Sequence, residues 1–260
     1  MTMENRREKD RMIKNQAEHR EPARMKKEWL VMAGLLVLAA CISAVLLPWV
    51  GHRFYRRPES PLPVVEARDT PGWELVLVNP WSSLTEGYQV QLTDLGGGEQ
   101  IDRRCYHELQ DMLDGCRAAG MEPLICSAYR SQETQERLFA DQVDLWTSQG
   151  YSLEEARAEA GKVVAVPGTS EHQLGLAVDI VDITNQILDE SQENTPTQQW
   201  LMENSWKYGF ILRYPNEKSD ITGIIYEPWH YRYVGKEAAA EIYQQGICLE
   251  EYLETREVLS

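Results

Sequence analysis

The sequence predicts an α+β domain, a small and mostly antiparallel sheet with flanking helices, preceded by one N-terminal transmembrane helix. Two observations predict it. Helix-forming segments gather before and after a few short apolar runs instead of alternating strictly with them, which favours α+β over a doubly wound fold. Residues 29–50 run for 22 positions without a charge, long enough to cross a bilayer.

The N-terminal segment, residues 1–28, holds nine Lys/Arg and six Asp/Glu. Within about 20 residues of the span, seven Lys/Arg precede it and four follow it, which orients the N-terminus toward the cytoplasm. A cleaved signal peptide has a shorter apolar core. Leu38-Ala39-Ala40-Cys41 looks like a lipoprotein processing box, but the apolar run continues past Cys41, so a membrane anchor fits the length better. Residues 51–72 include Pro58, Pro61, Pro63 and Pro71, the composition of a semi-rigid spacer. Residues 73–260 then form the extracytoplasmic domain. From His52 onward there are 17 Lys/Arg against 35 Asp/Glu, a net charge of −18, which makes nucleic acid a poor partner and is otherwise the charge of a soluble surface.

Within the domain, residues 75–78 read as a short strand and Gly96-Gly97-Gly98 as a turn or flexible loop. A helix over residues 103–119 leads into a strand at 123–128. A second helix spans 131–148 with Ser131 as N-cap, and a third spans 153–162. Residues 176–183 (LAVDIVDI) form a buried, β-branched strand, and residues 197–208 form a helix that closes at Gly209. Strands at 210–213, 224–226 and 230–234 precede a last helix at 236–245. On the 103–119 helix, Cys105 and Cys116 stand about 16 Å apart and cannot bond. Cys105–Cys126 with Cys116–Cys248, Cys105–Cys248 with Cys116–Cys126, and four reduced thiols all remain open.

Two segments concentrate the chemistry: SEHQLGLAVDI at residues 170–180 and YEPWHYRYVG at residues 226–235. They offer His172, Asp179 and His230 as N/O metal ligands with Glu227 as a free carboxylate, the set that activates water on a cation with an open position. A continuous strand would separate His172 from Asp179 by about 23 Å, and a continuous helix by about 10 Å. The chain must therefore fold back, and Gly175 is placed to let it. A charged Asp179 inside an apolar strand is costly unless paired or metal-bound. Pro228 breaks the ladder between Glu227 and His230, so these two need not face opposite sides. His19, His52 and His107 have no partners at ligand spacing.

SAYRS (residues 127–131) with Gln135, then PGTSEHQLGLAVDI (167–180), WLMENSWKYGFILRYP (200–215) and EPWHYRYVG (227–235), together resemble the VanY-type zinc carboxypeptidases that trim peptidoglycan stem peptides. The resemblance covers roughly residues 73–253. It implies Zn2+ on His172, Asp179 and His230, with Glu227 as general base. It further implies Arg130 beside the reacting carbonyl, and Ser170 and Gln135 near the substrate's terminal carboxylate. Removal of a C-terminal D-Ala is the implied reaction, with an L,D bond as the variant. A zinc-binding wall module without catalysis is the alternative, and a free Glu227 separates the two. A non-haem iron site also uses two His and a carboxylate, but usually at closer spacing.

Overall fold

The computed structural model describes residues 72–259. Residues 1–71, with the expected membrane span at 29–50, lie outside the described residues. No described helix is long and apolar enough to cross a membrane.

A hairpin comes first, β1 (Leu92–Gly96) and β2 (Glu99–Asp102), turning through Gly97 and Gly98 at positive φ. Helix α1 (Tyr106–Ala118) leads to β3 (Pro123–Ser127). Next come α2 (Gln132–Ser148) and α3 (Leu153–Val163), packed against each other through Phe139, Val143, Ala156 and Ala160. Ser131 caps α2 by accepting from the Thr134 N–H, and Ser152 with Glu155 forms a capping box on α3. A 3-10 turn at Glu171–Leu174 precedes β4 (Ala177–Asp182). Helix α4 (Pro196–Asn204) runs into a 3-10 turn ending at Gly209, and β5 (Phe210–Leu212) follows. The short α5 (Ser219–Thr222), β6 (His230–Tyr233), α6 (Lys236–Gln245) and α7 (Leu249–Leu259) complete the order.

The main sheet has the order β3-β4-β6-β5, and every neighbouring pair is antiparallel. Its centre is β4, buried at all six positions. Alternation divides the sheet's side chains between two faces. Val178 and Ile180 of β4, with Tyr231 and Tyr233 of β6, enter the core formed with Leu109, Met112, Leu113 and Cys116 of α1. The other face carries Asp179, His230 and Arg232.

Several elements differ from the sequence expectation. Residues 75–78 form no strand; Trp73–Leu75 is a 3-10 turn. The carbonyls of Glu74 and Val76 accept from the Arg232 guanidinium, which supplies the partners a sheet would otherwise have given. Residues 224–226 are likewise not a strand, and the Ile225 N–H donates to the Lys162 carbonyl instead. The Gly96–Gly98 triplet is the tip of the β1–β2 hairpin, whose polar strands lack an apolar alternation. Cys105, Cys116 and Cys248 are free thiols, so neither proposed disulfide pairing forms. Cys105 instead donates its Sγ hydrogen to the Asp102 carbonyl.

Candidate metal centre and active site

Sheet register builds the site. Asp179 on β4 stands opposite His230 on β6 and pairs with Ser127 at the end of β3 on its other flank. Opposed residues share a face, so the Asp179 carboxylate meets the His230 ring directly. Its Oδ1 lies 3.1 Å from His230 Nδ1, and its Oδ2 lies 3.3 Å from His172 Nε2.

His172 arrives from the 3-10 turn, and the fold-back to β4 is made at Gly175, whose φ is +73°. That conformation, and a Cβ that would come within 3.1 Å of Val90 and 3.3 Å of the Asp102 nitrogen, both exclude a larger residue without rearrangement. The His172 Nδ1 sits 2.6 Å from the Ala128 carbonyl, so the ring donates there and turns Nε2 toward Asp179. The two imidazoles lie edge to face with centroids 4.9 Å apart.

A tetrahedral ion with bonds of about 2.0–2.2 Å needs neighbouring donor atoms about 3.3–3.6 Å apart. The His172–Asp179 spacing of 3.3 Å meets this, and the His230–Asp179 spacing of 3.1 Å, to the other carboxylate oxygen, falls just short of it. One donor atom from each of His172, Asp179 and His230 lies within 4.8 Å of the others, and all three residues are buried. Two neutral imidazole nitrogens and a carboxylate suit Zn2+ in chemistry as well as geometry.

Glu227 reaches the same place through a turn. The His230 N–H donates to the Glu227 carbonyl across Pro228 and Trp229, which folds the chain back just before β6 and sets Glu227 Oε2 3.7 Å from His230 Nδ1. Pro228 therefore breaks the ladder by sitting inside a turn. Trp229 is buried beside it. Burial pushes the Glu227 carboxyl up to about 8, with Asp179 adding repulsion and His230 and Arg130 opposing it.

The other groups have unequal environments. Burial, with Arg130 nearby, lowers His172 to about 4. For His230 burial acts downward too, but hydrogen bonds to Asp179 and Glu171 prevail and raise it to about 9. Asp179 is held well below the ordinary carboxylate range: burial works against this, and His172, His230 and Arg130 outweigh it.

Arg130 lies at the edge of this cluster. Its Nη2 donates to Asp179 Oδ2 at 2.8 Å, its Nε donates to Ser127 Oγ at 2.9 Å, and its side chain keeps 20% exposure. Ser170 is buried directly before the 3-10 turn that carries His172. Gln135 is fully buried on the first turn of α2, where its Nε2 donates to the Ala165 carbonyl and its Oε1 has no partner. A second glutamine of α2, Gln132, accepts from Gln173 Nε2, and Gln173 Oε1 in turn accepts from the Gly168 N–H. The start of α2 thus ties down the loop bearing Ser170.

Sequence reasoning missed what stands behind His230. Glu171, Arg213, Arg232 and Glu250 form a buried ionic cluster there. The one local signal was Glu171 itself, a charged residue next to a ligand histidine.

Comparison with known proteins agrees with this geometry. The VanY family, described as D-alanyl-D-alanine carboxypeptidase, matches residues 98–236. A D-alanyl-D-alanine carboxypeptidase of Enterococcus faecalis is 50% identical over 190 residues, covering 73% of this chain and 69% of that protein. The structure of VanYB in complex with D-alanine-D-alanine superposes with a TM-score of 0.65 at 49% identity, over 70% of this chain and 98% of the other. A VanY mutant from a VanB-type resistance cassette, solved in complex with Zn(II), gives 0.64 at 48% identity, over 70% and 99%. The chain belongs to the VanY family of D-alanyl-D-alanine carboxypeptidases.

Proposed function

We propose that this protein is a zinc-dependent D,D-carboxypeptidase that removes the C-terminal D-alanine from peptidoglycan stem peptides. The observation that carries it is the convergence of His172, Asp179 and His230 with a buried Glu227 carboxylate beside them. A site that only held an ion would have no need of that carboxylate, which argues against the non-catalytic module.

His172 Nε2, one Asp179 oxygen and His230 Nδ1 would hold the ion. Zinc, when bound, supplies Lewis acidity that lowers the pKa of a water and polarises the scissile carbonyl. Glu227 takes the proton from the attacking water and returns it to the leaving amine. Burial raises this carboxyl, and the ion, which favours its ionised form, would bring it back toward the state that accepts a proton. Arg130, partly exposed against Asp179, directs N–H groups toward the oxyanion that develops on the carbonyl. Ser170 receives the substrate's terminal carboxylate, and Gln135 serves the same end of the cleft while fixing Ala165. Desolvating that carboxylate requires charge-assisted bonds in return.

The N-terminal sequence supports an anchored enzyme, with residues 29–50 in the membrane and the domain outside. Protease treatment of intact, wall-stripped cells should release the domain; a domain that stays protected contradicts that orientation.

The activity is tested by mass spectrometry of stem peptides ending in D-Ala-D-Ala. Loss of a single alanine, with no cleavage of the terminally amidated peptide, is expected. Equal rates on free-acid and amidated peptides would reject the exopeptidase assignment.

A further inference from the structure

The two ligand histidines are supported on their far sides by different groups, and the support of His230 is the more elaborate. Glu171 lies fully buried on the 3-10 turn, immediately before His172, and its Oε2 stands 3.4 Å from His230 Nε2. Its other oxygen is occupied: Oε1 accepts from Arg213 Nε and from Arg232 Nη1, each at 2.7 Å. The carboxylate is thus fixed by two guanidinia with one oxygen left for the imidazole.

The two arginines are fixed in turn. Arg213 makes a two-pronged pair with Glu250 of α7, at 2.9 and 2.6 Å, and Glu250 accepts from Asn79 Nδ2. Arg232 spends its Nε and Nη2 donors on the carbonyls of Tyr233, Glu74 and Val76. Burying four charges is expensive, and an apolar cluster of the same volume would hold these segments together equally well. What an apolar cluster lacks is an anionic acceptor aimed at one ring nitrogen of a metal ligand. Such partners orient ligand imidazoles and select their tautomer.

We propose that Glu171 is a positioning residue of the metal centre: it accepts the His230 Nε2–H, selects the tautomer that leaves the Nδ1 lone pair to the ion, and is itself aimed by Arg213 and Arg232. The inference rests on the zinc site proposed above. One dipeptide then serves both histidines, since His172 is itself a ligand while Glu171 grips the opposite ring.

The test uses the full chain, with zinc affinity measured by chelator competition and the absorption spectrum recorded after cobalt substitution. Glu171→Gln should weaken zinc binding about 10- to 100-fold and shift the cobalt bands. Asp182→Asn alters a buried carboxylate outside this cluster, one that accepts from Thr184 and Thr197. It should lower Tm while zinc affinity stays within about twofold of wild type. Folded E171Q with wild-type affinity and spectrum would overturn the role. If E171Q does not fold, nitrogen NMR of histidine-labelled, zinc-loaded wild type decides. A His230 with protonated Nε2 and metallated Nδ1 supports the proposal, and metallated Nε2 overturns it. Wild type that binds no zinc would overturn the metal site and this role together, whereas normal zinc in both wild type and E171Q removes only the role.

Discussion

His172 and His230 are the same side chain facing the same carboxylate, yet they are prepared for a cation in opposite ways. His172 donates to a neutral backbone carbonyl and is lowered to about 4, so it offers a bare nitrogen at any ordinary pH. His230 stands between two carboxylates and is raised to about 9, so it holds a proton that a cation must displace. Asp179 faces both rings, so the difference comes from burial and Arg130 acting on His172 and from the added Glu171 carboxylate behind His230. A carboxylate at the back of one imidazole makes it the stronger donor and also the more pH-dependent one.

The most severe change is removal of either ring. His172→Ala or His230→Ala leaves two protein donors where a catalytic zinc site ordinarily has three. Zinc measured after gel filtration should fall from one per chain to a small fraction in both, and equal zinc in mutant and wild type would contradict the assignment.

Next in size is Glu227→Gln, which keeps shape and removes the base. Turnover should fall about 10²- to 10⁴-fold while zinc stays bound. Near-normal turnover of the zinc-loaded mutant would transfer the proton-transfer role to another group.

Arg130→Lys should act more mildly, lowering turnover about 10- to 100-fold, because the charge stays but the planar fork does not. Zinc content should be unchanged even though Arg130 touches Asp179. If zinc were lost instead, Arg130 would belong to the support of the ligand and not to the oxyanion.

The same contrast explains what could be read from sequence. The triad was legible because each ligand lies in a short segment whose backbone needs are local: Gly175 for the fold-back, Pro228 for the turn, and a costly Asp179 inside an apolar strand. The α1, α2 and α3 helices and the central strands were also legible, since their caps and apolar spacing are written within each segment. The support of His230 was not. Glu171 meets Arg213 and Arg232 across 42 and 61 positions, and no local pattern marks a charge whose partners are that remote. The expected strand at residues 75–78 failed for the same reason, because the carbonyls of Glu74 and Val76 find their partner in the remote Arg232 side chain. Helix α7 escaped notice as well, although its Glu250 is the far anchor of the ionic cluster.

The finest test of the comparison counts protons. Without a cation, His230 keeps its proton up to about pH 9 and Glu227 keeps its own up to about 8, whereas His172 is already neutral above about 4. A divalent ion needs the His230 Nδ1 lone pair and favours the ionised form of the carboxylate beside it. Zinc uptake at pH 7 should therefore release between one and two protons, both from the β6 side of the site and none from His172. The sign follows: apparent zinc affinity rises with pH up to about 8, rises less steeply to about 9, and then levels off. Calorimetry of zinc binding in buffers of different ionisation enthalpy measures the number directly. Release of no proton at pH 7 would mean that His230 is as neutral as His172, and the asymmetry between the two rings would be lost. Glu171→Gln sharpens the result, since removing that anion lowers the His230 pKa and should shift the upper limb of the affinity profile toward lower pH.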